Sequence, residues 1–207
     1  MINLVWLIPL LPLIGFVVNG LGRNVLPKAV IGTLACLTVM GSFAISLSIF
    51  LDFNSTEPVI VHLFDWINVG SLHIPFSFQI DQLSLLMLLI ITGIGSLIHI
   101  YSTGYMSHDE GFGKFFAYLN LFVFFMLLLV LGSNYLIMFI GWEGVGLCSY
   151  LLIGFWYTNG AFADAAKKAF IMNRIGDLGF LLAVFLILYY FGSLSFVTVF
   201  GQAERMF

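Results

Sequence analysis

Long apolar stretches recur along this chain, separated by short polar clusters, and six of them are long enough to cross a hydrocarbon layer as helices. They cover approximately residues 3–21, 28–51, 81–102, 114–131, 134–157 and 164–191. Only Gly132, Ser133 and Asn134 interrupt the fourth and fifth. One continuous helix there would be about 65 Å long at 1.5 Å per residue, roughly twice the hydrocarbon thickness, so two spans joined by a tight turn are expected. Runs such as Leu83 to Ile91 do not alternate apolar with polar, which argues against a transmembrane barrel. The segment 52–80 has a different period. Val59 to Trp66 and Leu72 to Phe78 are β-branched or aromatic-rich and flank Asn68, Val69, Gly70 and Ser71, the signature of a small exposed hairpin. The expected fold is therefore all-α, a polytopic transmembrane bundle of about six spans forming one domain over 1–207, with an extramembrane β-hairpin between the second and third helices.

Composition agrees. The chain is 61% hydrophobic and 8% charged, with a mean hydropathy of +1.11; soluble domains carry charge on about a quarter of their residues. The net charge of −3 is small. The seven basic residues form no run that would suit nucleic acid or an anionic lipid patch. Cys36 and Cys148 both lie in apolar segments, so neither a disulfide nor a metal site is expected. The first segment has no preceding Lys or Arg and no small-residue cleavage motif, so it is expected to remain as a span.

Charge also orients the chain. Arg23 and Lys28, then Lys114, then Lys167 and Lys168 fall in alternate connections, which places those connections in the cytoplasm. The segment 52–80 contains Asp52, Glu57 and Asp65 and no basic residue, and is expected outside with the N-terminus. The tail 192–207 is too short and polar for another span and reads as an outer-surface segment.

The informative charges are those inside spans. Glu143 lies about 14 Å from Asn134 along the fifth helix, and Asp177 about 20 Å from Asp164 and about 21 Å from Phe191 along the sixth. Both are near the midplane. If the hairpin of these helices turns near Gly160, the two carboxyls share one depth. Arg174, three residues before Asp177, occupies the same helix face and can compensate its charge. Lys168 lies one to two turns nearer the cytoplasm. Ionisable groups inside spans are costly and point to charge transport, although they also serve as interhelical ties. No basic residue on its own helix neutralises Glu143, which leaves it able to exchange protons. The small residues around it, Gly141, Gly144 and Gly146, allow close helix approach or leave room for polar groups. His99, near the cytoplasmic end of the third helix, reads either as a proton relay or as a core histidine. Phosphate-binding glycine loops, cysteine clusters and paired haem histidines are not found, so no redox centre is expected in this chain.

The stretch FIGWEGVGLCSYLLIGFW, Phe139 to Trp156, followed by KAFIMNRIGD, Lys168 to Asp177, resembles the L subunit (chain 5 in mitochondria) of respiratory complex I. The resemblance extends through DQLSLLMLLIITGIGSLIHIYSTGYM, Asp81 to Met106, and GFGKFFAYLNLF, Gly111 to Phe122. It implies a proton-translocating, antiporter-like subunit of the cell inner (plasma) membrane, partnered by other complex I membrane subunits and the bilayer. NADH, FMN, iron–sulfur clusters and quinone would be bound by other subunits. The Glu matched by Glu143 pairs in that family with a lysine on the following helix, and Asp177, Arg174 and Lys168 match members of the same charge system. Family members continue for several hundred residues, so a fragment or truncated product that does not pump alone is expected. Multisubunit sodium/proton antiporters, whose large subunit shares the fold and a similar Glu, are the alternative.

Overall fold

The computed structural model describes residues 2–55, 57–70 and 72–206. A short 3-10 turn, Ile2–Leu4, leads into α1 (Leu7–Gly22) and α2 (Lys28–Asp52). The antiparallel hairpin β1 (Val59–Val69) and β2 (Leu72–Ile80) follows, then α3 (Gln82–Tyr105), α4 (Phe112–Leu131), α5 (Tyr135–Ile153), α6 (Gly160–Phe191) and α7 (Phe196–Met206). Helices α2 to α6, and α1 together with the turn that leads into it (Ile2–Gly22), are long and apolar enough to cross a membrane, and the chain is a multi-pass membrane protein. The hairpin runs longer than its sequence pattern at both strands and turns through Gly70, whose φ of +60° suits glycine. Ser71, part of the expected turn, lies outside the described residues.

Local chemistry fixes the helix ends. Asp81 and Ser84 form a reciprocal capping box at the start of α3, with Ser84 N–H donating to Asp81 Oδ1 at 2.7 Å and Asp81 N–H to Ser84 Oγ at 2.8 Å. Asn134 caps α5, accepting from the Leu136 and Ile137 amides. Helix α6 begins at Gly160, one turn before the expected Asp164, because Asn159 caps it, and it stops at Gly192, which takes a left-handed φ of +65°. Helix α5 stops at Ile153 rather than Tyr157, with Gly154 as its C-cap. Pro12 sits inside α1 and cannot donate to the Ile8 carbonyl; Ser42 Oγ of α2 donates to that oxygen instead, at 2.7 Å. The proline thereby becomes a tie between two spans.

Helices α1 to α4 pack together, α5 packs on α4, and α6 leans on α5. One apolar core lies at the hairpin end, where Val5, Ile8, Phe78, Ile80, Leu127 and Leu131 meet. A second, built from Ile31, Met106, Phe112, Phe116 and Phe155, closes the opposite end. The hairpin is half exposed, as expected of β1, but β2 buries Ile74, Phe78 and Ile80 on the helix ends. Backbone bridges join Phe78 to Gly132 and Asn134 to Ser195, and Asn134 Nδ2 donates to the Pro75 carbonyl. The expected surface tail is helical: α7 is an 11-residue helix, too short to span.

Candidate functional site

Helix α5 has two working faces. Ile137, Gly141, Gly144 and Cys148 repeat at helical spacing and are buried. This face meets α4: a Cβ on Gly141 would lie 2.5 Å from the Leu129 backbone nitrogen and 2.6 Å from its Cα, and one on Gly144 would enter the Phe125 ring. The opposite face meets α6 through Phe139 on Phe180, Trp142 on Phe180 and Asp177, a close approach of Gly146 to Asn173, and Tyr150 on Phe170. These pairs step down α5 as they step up α6. The antiparallel register they define is centred near residue 160 and sets Glu143 level with Asp177.

Between the two helices stands Arg174. Its guanidinium Nη1 donates to Glu143 Oε2, and the same nitrogen lies 3.8 Å from Asp177 Oδ2. The guanidinium also stacks over the Phe170 ring at 4.7 Å. Asp177 is buried, 5% exposed, and accepts a hydrogen bond from Trp142 Nε1 at 2.9 Å. The sequence pattern pairs Arg174 with Asp177 and finds no basic residue on the helix of Glu143 itself. The ion pair with Asp177 is present, and the structure adds a closer bond to Glu143, because the long side chain also crosses the helix interface. Trp142 was missed altogether; its position beside Glu143 in an apolar helix was the available signal.

Glu143 is the ninth residue of the 19 in α5, about 12 Å from that helix's start, and Arg174 and Asp177 flank the middle of the 32-residue α6. The three groups therefore lie at membrane depth. Their formal charge is −1 with both carboxyls ionised and 0 when one holds a proton. An uncompensated charge at that depth costs about 3 kcal/mol on insertion scales. Proton occupancy and the position of Arg174 are thus coupled: a proton on either carboxyl frees the guanidinium to serve the other.

Lys168 and His99 are not gathered into this cluster. Lys168 is exposed, about 9 Å along α6 from Arg174. His99 is fully buried between α3 and α4, with Nδ1 2.8 Å from the Gly95 carbonyl and Nε2 3.1 Å from Asn120 Oδ1. Asn120 in turn meets Thr38 against Gly15 of α1, so His99 belongs to a separate polar seam. Cys36 and Cys148 are buried free thiols. Among the described residues, no three His, Cys, Asp or Glu side chains converge as metal ligands.

Two family models match the chain. Residues 66–116 match the N-terminus of NADH-ubiquinone oxidoreductase (complex I) chain 5, and residues 132–207 match the transmembrane region of NADH:quinone oxidoreductase and Mrp antiporter subunits. NADH-quinone oxidoreductase subunit L of Mycobacterium tuberculosis is 48% identical over 199 residues, covering 95% of this chain and 31% of that protein. NADH-ubiquinone oxidoreductase chain 5 of Hypocrea jecorina is 43% identical over 199 residues, covering 94% of this chain and 28% of that one. This chain thus spans less than a third of either relative. The fold is similar to a chain of the archaeal membrane-bound sulfane sulfur reductase, with a TM-score of 0.82 at 19% identity over 95% of this chain and 39% of that chain. Long matches at this identity, running through the very helices that carry Glu143, Arg174 and Asp177, show that the chain belongs to the complex I subunit L and chain 5 family of antiporter-like membrane subunits.

Proposed function

We propose that this chain is the N-terminal part of a proton-translocating membrane subunit of an NADH:quinone oxidoreductase, and that it converts quinone reduction elsewhere in the complex into charge movement across the bilayer. The observation that carries this reading is Arg174 shared between Glu143 and Asp177 on two adjacent spans. Glu143 takes up and releases the proton, Arg174 moves between the two carboxyls, and Asp177 holds the countercharge while Trp142 steadies it. Lys168 passes charge toward the end opposite the hairpin, and His99 serves a separate branch through α3 and α4. Redox groups belong to other subunits, so the part played by these residues is electrostatic.

The end carrying Arg23, Lys28, Lys114, Lys167 and Lys168 faces the cytoplasm, and the end carrying Asp52, Glu57, Asp65 and Asp81 faces outward. The membrane is the cell inner membrane. In the assembled complex, Glu143→Gln lowers proton pumping while NADH oxidation by an artificial acceptor continues unchanged. Pumping at the unmodified level in that variant overturns the proposal. Sodium/proton exchange is the second reading, because the family model matched over 132–207 is described for Mrp antiporters as well. Transport that requires sodium at fixed pH selects it.

A further inference from the structure

The basic residues are scattered in sequence, yet the fold brings two of them to the mouth of one groove. Helix α1 ends where α4 begins, and the approach is close: a Cβ on Gly113 would lie 3.0 Å from Arg23 Cβ and 3.1 Å from its Cα. Arg23 and Lys114, 91 positions apart, therefore stand side by side at the end opposite the hairpin. Neither has a carboxylate within ion-pair distance among the described residues. The acid nearest Lys114 in sequence with described partners, Asp109, spends both carboxyl oxygens on the Gly111 amide and the Trp156 indole. Lys114 Nζ is held instead among aromatic rings, 5.0 Å from the centroid of Tyr157, 5.6 Å from Tyr118 and 6.0 Å from Phe155. Rings compensate an ammonium's charge without occupying its hydrogen-bond donors, so those donors stay available to an anion.

Below the cations the groove, of about 400 Å³, is walled by Phe16, Val17, Leu21, Ala117 and Tyr118. Leu21 is 82% exposed and Val17 44% exposed. From Arg23 to Phe16 is about 10 Å along α1, directed into the hydrocarbon. Two cations without a carboxylate partner, with an amphipathic tyrosine at interface depth, above an open apolar channel, match one chemistry: a negatively charged headgroup carrying an acyl chain.

We propose that the α1–α4 groove binds an anionic phospholipid, its phosphodiester held by Arg23 and Lys114 and one acyl chain lying against Val17 and Leu21. The site is independent of the Glu143 cluster and stands whether or not the proton-translocation reading holds. The sequence pattern gave no hint of it, because the fold alone makes the pair.

The test is native mass spectrometry of the full-length protein in detergent, titrated with phosphatidylglycerol or phosphatidylcholine of identical acyl chains. At about fivefold per interfacial cation, the phosphatidylglycerol preference is expected to be roughly twenty-fivefold. Arg23→Gln and Lys114→Gln each remove about fivefold of it, and the charge-keeping pair Arg23→Lys with Lys114→Arg retains most, which separates headgroup recognition from misfolding. Val17→Trp, which fills the channel, weakens both lipids. Soluble glycerol phosphate does not compete at equal concentration. Equal binding of the two lipids, a preference surviving in the double Gln variant, or displacement by glycerol phosphate each overturns the proposal, the last by revealing a free-anion site.

Discussion

Replacing Gly141 by alanine tests how the cluster is held in place. The added Cβ would meet Leu129 backbone nitrogen at 2.5 Å and Cα at 2.6 Å. Ordinary carbon contacts are about 3.5 to 4.0 Å, so α4 and α5 must separate by about 1 Å at that level. No rotamer relieves the clash, since the obstacle is main chain. Overpacking of this kind costs about 1–3 kcal/mol, which for a chain of this size lowers the unfolding temperature by on the order of 5 °C. Gly144→Ala makes an even shorter contact, but with the Phe125 ring, and a side chain can be trimmed. The two variants should therefore differ in rescue: Phe125→Leu recovers most of the loss caused by Gly144→Ala, whereas Leu129→Ala leaves Gly141→Ala nearly as unstable as before. Thermal unfolding of the full-length protein in detergent, followed by circular dichroism, reads both. Full recovery of Gly141→Ala by Leu129→Ala would refute the reasoning, because it would mean that the side chain and not the backbone sets the helix spacing.

Three further outcomes follow from the described contacts. Asn134→Ala removes the cap on Leu136 and Ile137 and the bond to Pro75, costing about 1 kcal/mol for the cap and about 1 kcal/mol for the bond; hydrogen exchange at the Leu136 and Ile137 amides should accelerate. Burial pushes the Asp81 carboxyl up, but hydrogen bonds from the Ser84 amide, Gln79 and the Ser84 hydroxyl more than offset it and hold the group below its ordinary 3.8. A depressed folded value stabilises above the ordinary one and fades as pH falls through the depressed one, so the stability gap between the native protein and Asp81→Asn should be constant near neutrality and shrink in acid below about pH 4. For orientation, an impermeant maleimide added outside intact cells should label Asn54→Cys and spare Asn24→Cys; the reverse pattern inverts the proposed topology.

The spans were legible because a charge-free run of about 20 residues has few alternatives in physics. Helix ends were less so: Asn159 looked like any loop residue until its side chain was seen on the Ala161 amide. The shared depth of Glu143 and Asp177 could be read from sequence, because a short connection forces an antiparallel register whose centre can be estimated by counting. So could the pairing of Arg174 with Asp177, but not its closer bond to Glu143, since a side chain this long reaches its own helix or the next one equally well, and only interhelical spacing decides. Spacing also divided the glycines near Glu143. Gly141 and Gly144 serve the α4 contact, whereas Gly146 faces Asn173 on the charged side. The tail's helical character was hidden by its length, and the Arg23 and Lys114 pair by its separation.

The ties at the hairpin end make the bundle mechanically asymmetric. Gly132, Ser133 and Asn134 are stitched both to β2 and to the strand-like link before α7, through Ser77, Pro75, Leu194 and Ser195. Helix α5 is thus clamped at its first turn like a lever at its fulcrum, while the stretch after Ile153 is held by side chains, Phe155 in the second core and Trp156 on Asp109, with no comparable backbone bridge to another element among the described residues. Tilting α5 by about 5° about the clamp would carry the far end of the helix about 2.5 Å and Glu143 about 1 Å. Arg174 already sits within 3.8 Å of the competing carboxylate. A push applied at the far end, strong enough to shift those side-chain contacts, would therefore arrive at the guanidinium as a stroke of the right size to change its partner.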